Sequence, residues 1–315
     1  MTPAISIVMP CYNGRAHLPR SIASVQAQTC GDWELVVIDD GSRDGSADWV
    51  ESLGDARIRC IRQANSGVSA ARNAGLRAAR GARICFLDAD DCWEATLLEK
   101  LSAALDAQPD AVLAYCGWQN VGLGGGRDLP FVPPDYETPD KAQRLFAGCR
   151  WPIHAVMVRA DAIQAAGGFD TGLRNAEDYL LWLKIAIPGR IVRVPEVLAK
   201  YFFHGQGQAS QNKARAALDF LRAQTAHLAA DPALRRTLGP AARTLMYDAL
   251  LQRGYECYWA RELADARRIF RAVMRAGYGR PADWRHMLPA LLPQGLFVRL
   301  VESIDRVRGP SSPQR

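Results

Sequence analysis

The sequence predicts an α/β chain, a mostly parallel sheet flanked by helices, with an α-helical appendage at its C-terminal end. Apolar runs of strand length alternate with amphipathic stretches through the first half, the pattern of a parallel sheet with crossover helices. Three of those runs end in polar clusters. Beyond about residue 211 the strand-like runs stop, and Ala, Leu and Arg recur on helical spacing. A length of 315 residues, 49% of them apolar and 23% charged, is enough for a large domain plus an appendage and excludes a disordered chain. The expected division is 1–210 and 211–315.

Each element has its own signal. AISIVMP (4–10) reads as a strand, HLPRSIASVQAQT (17–29) as a helix, and WELVVIDDGS (33–42) as a strand ending in acids. DGSADWVESLG gives a helix, RIRCIRQ a short strand, SAARNAGLRAAR a helix and ARICFLDADD a strand. From about residue 111 the pattern is mixed. AVLAYCGWQNVG reads as a strand, 122–139 as a Gly- and Pro-rich loop, and WPIHAVMVR as a strand. ADAIQAAGGF is a helix stopped by glycines, AEDYLLWLKIAI a helix opened by two acids, and GRIVRVPEVLAKYFFHG the last strand.

The formal charge is +6, and 241–315, with thirteen Arg, no Lys and seven acids, accounts for all of it. The balanced remainder argues against a nucleic-acid-binding core. Eight cysteines (11, 30, 60, 85, 92, 116, 149 and 257) stand singly, several inside apolar runs, as expected of reduced residues in a cytoplasmic protein. We find neither a signal-peptide pattern at the N-terminus nor an apolar run of about 18 residues.

In an open α/β sheet, ligands sit beyond the carboxyl ends of the strands, where helix N-termini also point. PCYNG, DDGS and DADD fall at such ends, and a single pocket formed by the three loops is the economical reading. Asp39 and Asp40 either cap the next helix or accept a nucleobase N–H or ribose hydroxyl. In NSGVSAARNAG, a helix start followed by Arg72 suits a diphosphate, although the small residues also permit close packing. Asp88, Asp90 and Asp91 repel one another unless a cation answers them, and Mg²⁺ or Mn²⁺ takes such oxygens while keeping positions for phosphate; the plain alternative is a solvated acidic turn. Glu177 and Asp178 open a helix, where acids are favoured by the helix dipole and where one could equally serve as a general base.

Taken in order, SIVMPCYNG, DWELVVIDDGSRDGS, NSGVSAARNAG, FLDADD, GGFD, EDYLLWLK and YFFHGQGQAS resemble the family 2 glycosyltransferases of the GT-A fold over about 4–210. The resemblance implies a nucleoside-diphosphate sugar, with UDP the first choice of nucleotide, lying across the strand ends. It further implies that Asp39 and Asp40 contact uracil or ribose, that Pro10, Tyr12 and Glu34 line the nucleotide pocket, and that Arg72 lies near it. Asp88-Ala89-Asp90 matches the DxD motif. Asp90 would bind Mn²⁺ or Mg²⁺ on the diphosphate, with Asp91 close by and His204 a further metal or diphosphate contact. Phe202 and Phe203 stand where the family often has basic residues. Asp178 is the expected catalytic base of an inverting transfer to a glycan or lipid-linked acceptor.

The C-terminal part is less readable. YECYWARELADARRIFRAVMRAGY suggests a helical hairpin, and the basic amphipathic run 284–308 either lies on an anionic inner membrane face or packs on the catalytic domain. Two other functions compete. A sugar-phosphate nucleotidyltransferase would need a Gly-rich loop with Arg and Lys, and PCYNGRAHLPR has neither the glycines nor the Lys. A silent nucleotide-sugar-binding subunit would have no use for intact DADD and ED pairs.

Overall fold

A computed structural model of the chain describes residues 2–124, 126–204 and 212–308, the side chains of 304–308 excepted. Residues 205–211, with the remainder of the YFFHGQGQAS stretch, therefore lie outside the described part. The chain divides into two compact units, Met1–Gln208 and Ala209–Arg315.

The first unit is built on a nine-stranded mixed sheet. Its parallel half runs β3 (Ile58–Arg62), β2 (Trp33–Asp39), β1 (Ile5–Cys11), β4 (Arg83–Phe86). It continues through β8 (Val156–Arg159), antiparallel to both neighbours, then β6 (Ala111–Val121), β9 (Arg190–Phe202) and β5 (Cys92–Trp93), with the two-residue β7 (Pro130–Phe131) beside β6. β6 reaches β8 through residues 122–155, which carry β7, one short helix and a 3-10 turn, and β8 returns antiparallel beside β6.

Every residue of β2 is buried, as a strand covered on both faces requires. On one face Ile5, Ile7 and Met9 of β1 and Leu35 and Val37 of β2 meet Leu18, Ile22 and Val25 of α1 (Leu18–Gln26), with Leu97, Leu98, Leu101 and Leu105 of α4 (Leu97–Ala107) in the same core. On the other face α3 (Val68–Ala78) lies directly on β1. Gly75 makes that approach feasible, because a Cβ there would sit 2.3 Å from Val8 Cγ1. Beyond the expected elements stand β5, α4, β7 within the expected loop 122–139, and α5 (Lys141–Phe146) after it. The helices α2 (Ser46–Glu51), α6 (Ala160–Ala165) and α7 (Glu177–Ala186) complete the unit.

The second unit is helical throughout its described residues: α8 (Lys213–Ala230), α9 (Pro232–Leu238), α10 (Ala241–Trp259), α11 (Leu263–Arg275), α12 (Pro281–Met287), a 3-10 turn at Leu288–Leu291 and α13 (Gln294–Arg308). The predicted hairpin is α10 and α11, packed so closely that a Cβ on Gly254 would come within 2.8 Å of the Phe270 ring. Of the 284–308 run, Met287, Ala290, Phe297 and Val301 enter this unit's own core, while Leu288, Leu291, Leu292, Leu296 and Leu300 remain exposed. No described helix is long and apolar enough to cross a membrane.

Candidate active site

The parallel strands β1, β2 and β4 end side by side, and their loops are tied together by hydrogen bonds. Asn13, held at φ 51, donates its N–H to Ser42 Oγ (2.8 Å) and accepts from Arg43 N–H (2.8 Å); Asp40 N–H reaches Cys11 O at 2.8 Å. Tyr12 projects beside this junction, 56% exposed. Asp39, paired with Cys11 at the last register position of β1 and β2, is buried. Its Oδ2 accepts a long bond from Ser42 N–H (3.3 Å), and its Oδ1, fully buried, has no partner. A buried carboxylate oxygen without a donor is costly unless a ligand supplies one. Among the expected nucleotide contacts, Pro10, Tyr12 and Asp39 are therefore brought together at one place.

Asp40 is engaged within the chain. Its Oδ1 accepts from Gln63 Nε2 (2.7 Å) and Ser66 N–H (2.8 Å), and its Oδ2 from Gly67 N–H (2.8 Å). This side chain is spent on shaping the loop that leads into α3. Glu34 is likewise held by partners within the chain. It is the second residue of β2, five positions and roughly 16 Å from Asp39 along the strand. Burial alone would raise its pKa, yet hydrogen bonds from Ser6, Arg80 and Arg59 outweigh that and hold it at about 2. Glu34 fastens the far end of the sheet.

The DADD turn after β4 divides its carboxylates. Asp88 Oδ1 accepts from Arg72 at 2.8 Å, while the other arm of the same guanidinium reaches Glu177 Oε1 at 2.6 Å. Arg72 is 3% exposed and lies over the Phe169 ring. One hydrogen bond from each amino group makes it a buried bridge between the DADD turn and the start of α7, and its Nε, buried, has no hydrogen-bond partner. Asp90 Oδ2 lies 2.6 Å from His204 Nε2, bringing together the two residues expected at a metal. Asp91, expected close to the metal, is turned into the protein. It is 1% exposed, with Oδ1 accepting Phe202 N–H (2.9 Å), and it anchors the end of β9 behind the turn. Its Oδ2 is 3.1 Å from His154 Nδ1 but not aligned for a hydrogen bond. Burial, reinforced by Asp88 and Asp90, pushes the Asp91 carboxyl well above the usual range, and burial lowers His154 to about 4.

Residues that the motifs did not flag complete this corner. The His17 ring stacks on His204 with centroids 4.7 Å apart, and Arg20 donates to the Asp90 carbonyl at 2.6 Å while its guanidinium lies 3.5 Å from the Phe202 centroid. The cation that the Phe202-Phe203 pair does not provide thus comes from α1. Its signal was present in HLPR, a His and an Arg at the start of a helix that faces the strand ends. His154 gave no signal, because it stands among apolar residues just before β8.

At α7, Ala176 takes the left-handed conformation (φ 62), which costs a non-glycine residue about 1 kcal/mol and turns the chain sharply into Glu177 and Asp178. The GGFD turn upstream is clamped by Asn73, whose amide exchanges hydrogen bonds with both the O and N–H of Phe169 (2.8 and 2.9 Å). Asp178 Oδ1 accepts its neighbour's N–H, from Tyr179, at 2.7 Å. Burial first, and the adjacent Glu177 second, raise its pKa to about 7, with Arg72 opposing. A carboxylate titrating near neutrality is suited to take a proton.

The donor set available to a divalent cation is one carboxylate and one imidazole, Asp90 and His204. Among the described residues no group of three or more His, Cys, Asp or Glu side chains is placed to hold a metal. Two protein ligands with room for phosphate oxygens and water fit Mg²⁺ or Mn²⁺, which dedicated protein cages rarely enclose.

Glycosyl transferase family 2 matches residues 6–160. EpsJ of Bacillus subtilis, an uncharacterized glycosyltransferase, is 32% identical over 191 residues, which are 56% of this chain and 54% of EpsJ. TuaG of the same organism, a putative teichuronic acid biosynthesis glycosyltransferase, is 28% identical over 205 residues, 63% of this chain and 79% of TuaG. The chain thus spans about half the length of the first of these relatives. Among solved structures, Staphylococcus aureus TarS 1-349 in complex with UDP-GlcNAc superposes with a TM-score of 0.63 at 17% identity, covering 96% of this chain and 92% of TarS 1-349. The mannosyltransferase PcManGT from Pyrobaculum calidifontis, in complex with GDP-Man and Mn²⁺, gives 0.58 at 18% identity, with 98% and 88% covered. At such identities these two speak for the fold, and together with the family match they agree with the order of strands and motifs found here: the chain belongs to glycosyl transferase family 2 and has the GT-A fold.

Proposed function

We propose that the chain transfers a sugar from a nucleoside-diphosphate sugar, UDP by preference, to an acceptor hydroxyl on a growing glycan, with inversion at the anomeric carbon. The observation that carries this reading is the buried Asp88–Arg72–Glu177 bridge, which joins the turn bearing Asp90 to the helix start bearing Asp178. Diphosphate and base sides are thereby fixed in one cluster. Residues 1–210 hold all of this machinery, and 211–315 form the helical region.

In this reading the nucleobase stacks on Tyr12 and donates its N–H to Asp39 Oδ1, the buried oxygen that has no other partner. Asp90 and His204 hold Mn²⁺ or Mg²⁺, which when bound neutralises charge growing on the departing diphosphate. Asp178 takes the proton of the acceptor hydroxyl; that oxygen bonds to the anomeric carbon from the face opposite the diphosphate, and the bond from that carbon to the diphosphate oxygen breaks. Arg20 and His17, on the far side of Asp90, keep its turn from opening. The TarS complex with UDP-GlcNAc and the PcManGT complex with GDP-Man and Mn²⁺ support the donor class and the metal. The likeness to TuaG, a putative teichuronic acid biosynthesis glycosyltransferase, supports a role in cell-surface polysaccharide synthesis; the acceptor in this reading is lipid-linked and met at the cytoplasmic membrane face.

Calorimetry with UDP, with and without Mn²⁺, tests the shared cation. Binding is expected to weaken on chelation and to lose its metal dependence in Asp90→Ala. Equal affinity of the wild type and Asp90→Ala in Mn²⁺ would remove Asp90 from the site.

A further inference from the structure

The second unit carries a surface that the transferase chemistry does not use. Between α8 and α11 runs a groove of about 420 Å³ with Leu218 and Leu221 on its floor and five arginines around it: Arg222, Arg267, Arg268, Arg271 and Arg275. Arg267, Arg271 and Arg275 fall at i, i+4 and i+8 on α11, so their charges share one helix face and repel. Arg222 is answered by Asp219 at 2.9 Å, and Arg268 only by Asp265 at 3.8 Å. Arg271 and Arg275 have no hydrogen bond or ion pair among the described residues. Such a row calls for anions from outside.

What stands next to the row identifies their source. Arg267 Nε donates to Leu292 O at 2.9 Å, which ties the groove to the leucine ridge. Along that ridge Leu288, Leu291, Leu292, Leu296 and Leu300 are 49, 56, 37, 52 and 37% exposed, with Arg299 exposed between the last two. Their neighbours Met287, Ala290, Phe297 and Val301 supply the unit's core, so the leucines are not required for folding. A soluble polyanion would satisfy the arginines but gain nothing from five exposed leucines. A bilayer with anionic headgroups satisfies both, phosphates against the guanidiniums and leucines in the interfacial layer.

We propose that the α8/α11 arginine groove and the 288–300 leucine ridge together form a docking surface for anionic lipid bilayers. This deepens the membrane-side placement in the functional reading but depends on the helical unit alone, so its failure would leave UDP binding and transfer untouched.

The test is flotation of the full-length protein with phosphatidylcholine vesicles, with and without phosphatidylglycerol, at low and raised salt. Binding is expected only with phosphatidylglycerol and should fall with salt. Arg271→Gln with Arg275→Gln should lower partitioning about 5-fold per charge, and Leu296→Ser with Leu300→Ser roughly 10-fold. Circular dichroism melting and retained UDP binding check that each variant folds. Absence of flotation with anionic vesicles would overturn the proposal, as would flotation that ignores the arginine pair. A leucine pair that floats normally, beside an arginine pair that loses both flotation and retention on heparin, would mean that the groove takes a soluble polyanion instead.

Discussion

Asp178→Asn separates a catalytic base from a helix-start acid, and the structure fixes the sign of its effect on stability. An unfolded chain ionises this carboxyl near 3.8, whereas burial and the neighbouring Glu177 delay ionisation in the folded protein until about pH 7. The folded state therefore holds the extra proton between those values, and stability is lost as pH rises through that window. A shift of about three units corresponds to roughly 4 kcal/mol as a ceiling. Asp178 is partly exposed, and screening by water reduces the expected figure to about 1–2 kcal/mol.

The asparagine carries no charge and can still accept the Tyr179 N–H. Asp178→Asn should then melt higher than the wild type at pH 8, by roughly 2–4 °C per kcal/mol, and the gain should shrink toward pH 5. Transfer should fall by roughly 10²- to 10⁴-fold, with UDP affinity unchanged. In the wild type the rate should rise with pH through about 7. Scanning calorimetry at several pH values, UDP titration and a transfer assay on one variant give all three readouts. A variant that melts as the wild type does at pH 8 would refute the buried-carboxyl argument. One that transfers normally would refute the base assignment and point to Glu177.

Two further outcomes are expected from the neighbouring residues. Asp39→Ala should weaken UDP binding by roughly 10- to 100-fold, the worth of a hydrogen bond to a charged acceptor, while leaving the melting temperature unchanged or raised, because the wild-type oxygen is buried without a partner. Arg72→Gln leaves Asp88 and Glu177 without their shared cation and should cost about 3–5 kcal/mol of stability, read by urea unfolding; a mere diphosphate ligand would lose UDP affinity at unchanged stability.

Most of the sheet could be read in the sequence because its strands are buried on both faces and announce themselves as continuous apolar runs. The order of its outer half could not, since β8 enters antiparallel after residues 122–155 and β5 is two residues long. The helix α4 is marked only by the spacing of Leu97, Leu98, Leu101 and Leu105, with no side-chain cap at its start. Within the site, residue type and strand-end position drew attention to Asp39 and Asp90, and the family resemblance added Asp178 and His204. They could not say which way a carboxylate turns. Asp40 and Asp91 are immediate neighbours of Asp39 and Asp90, and in an extended or turning chain adjacent side chains point to opposite sides. Asp40 and Asp91 take their hydrogen-bond partners from the chain, whereas Asp39 keeps a bare oxygen and Asp90 meets His204.

That division explains how so many acids coexist here. Of the seven carboxylates in the three clusters, Asp40 is saturated by Gln63, Ser66 and Gly67, and Asp91 is sealed behind the end of β9. Asp88 and Glu177 share Arg72. These four hold loops in place at low electrostatic cost, because each has hydrogen-bond donors or is kept protonated by burial. The remaining three differ in kind. Asp39 keeps a bare buried oxygen, Asp90 meets only a half-exposed imidazole, and Asp178 is displaced to neutrality. Each therefore retains an interaction that the folded chain itself does not satisfy, with an N–H, a cation and a hydroxyl proton respectively. A nucleotide sugar, its metal and its acceptor would bring those three, in that spatial order.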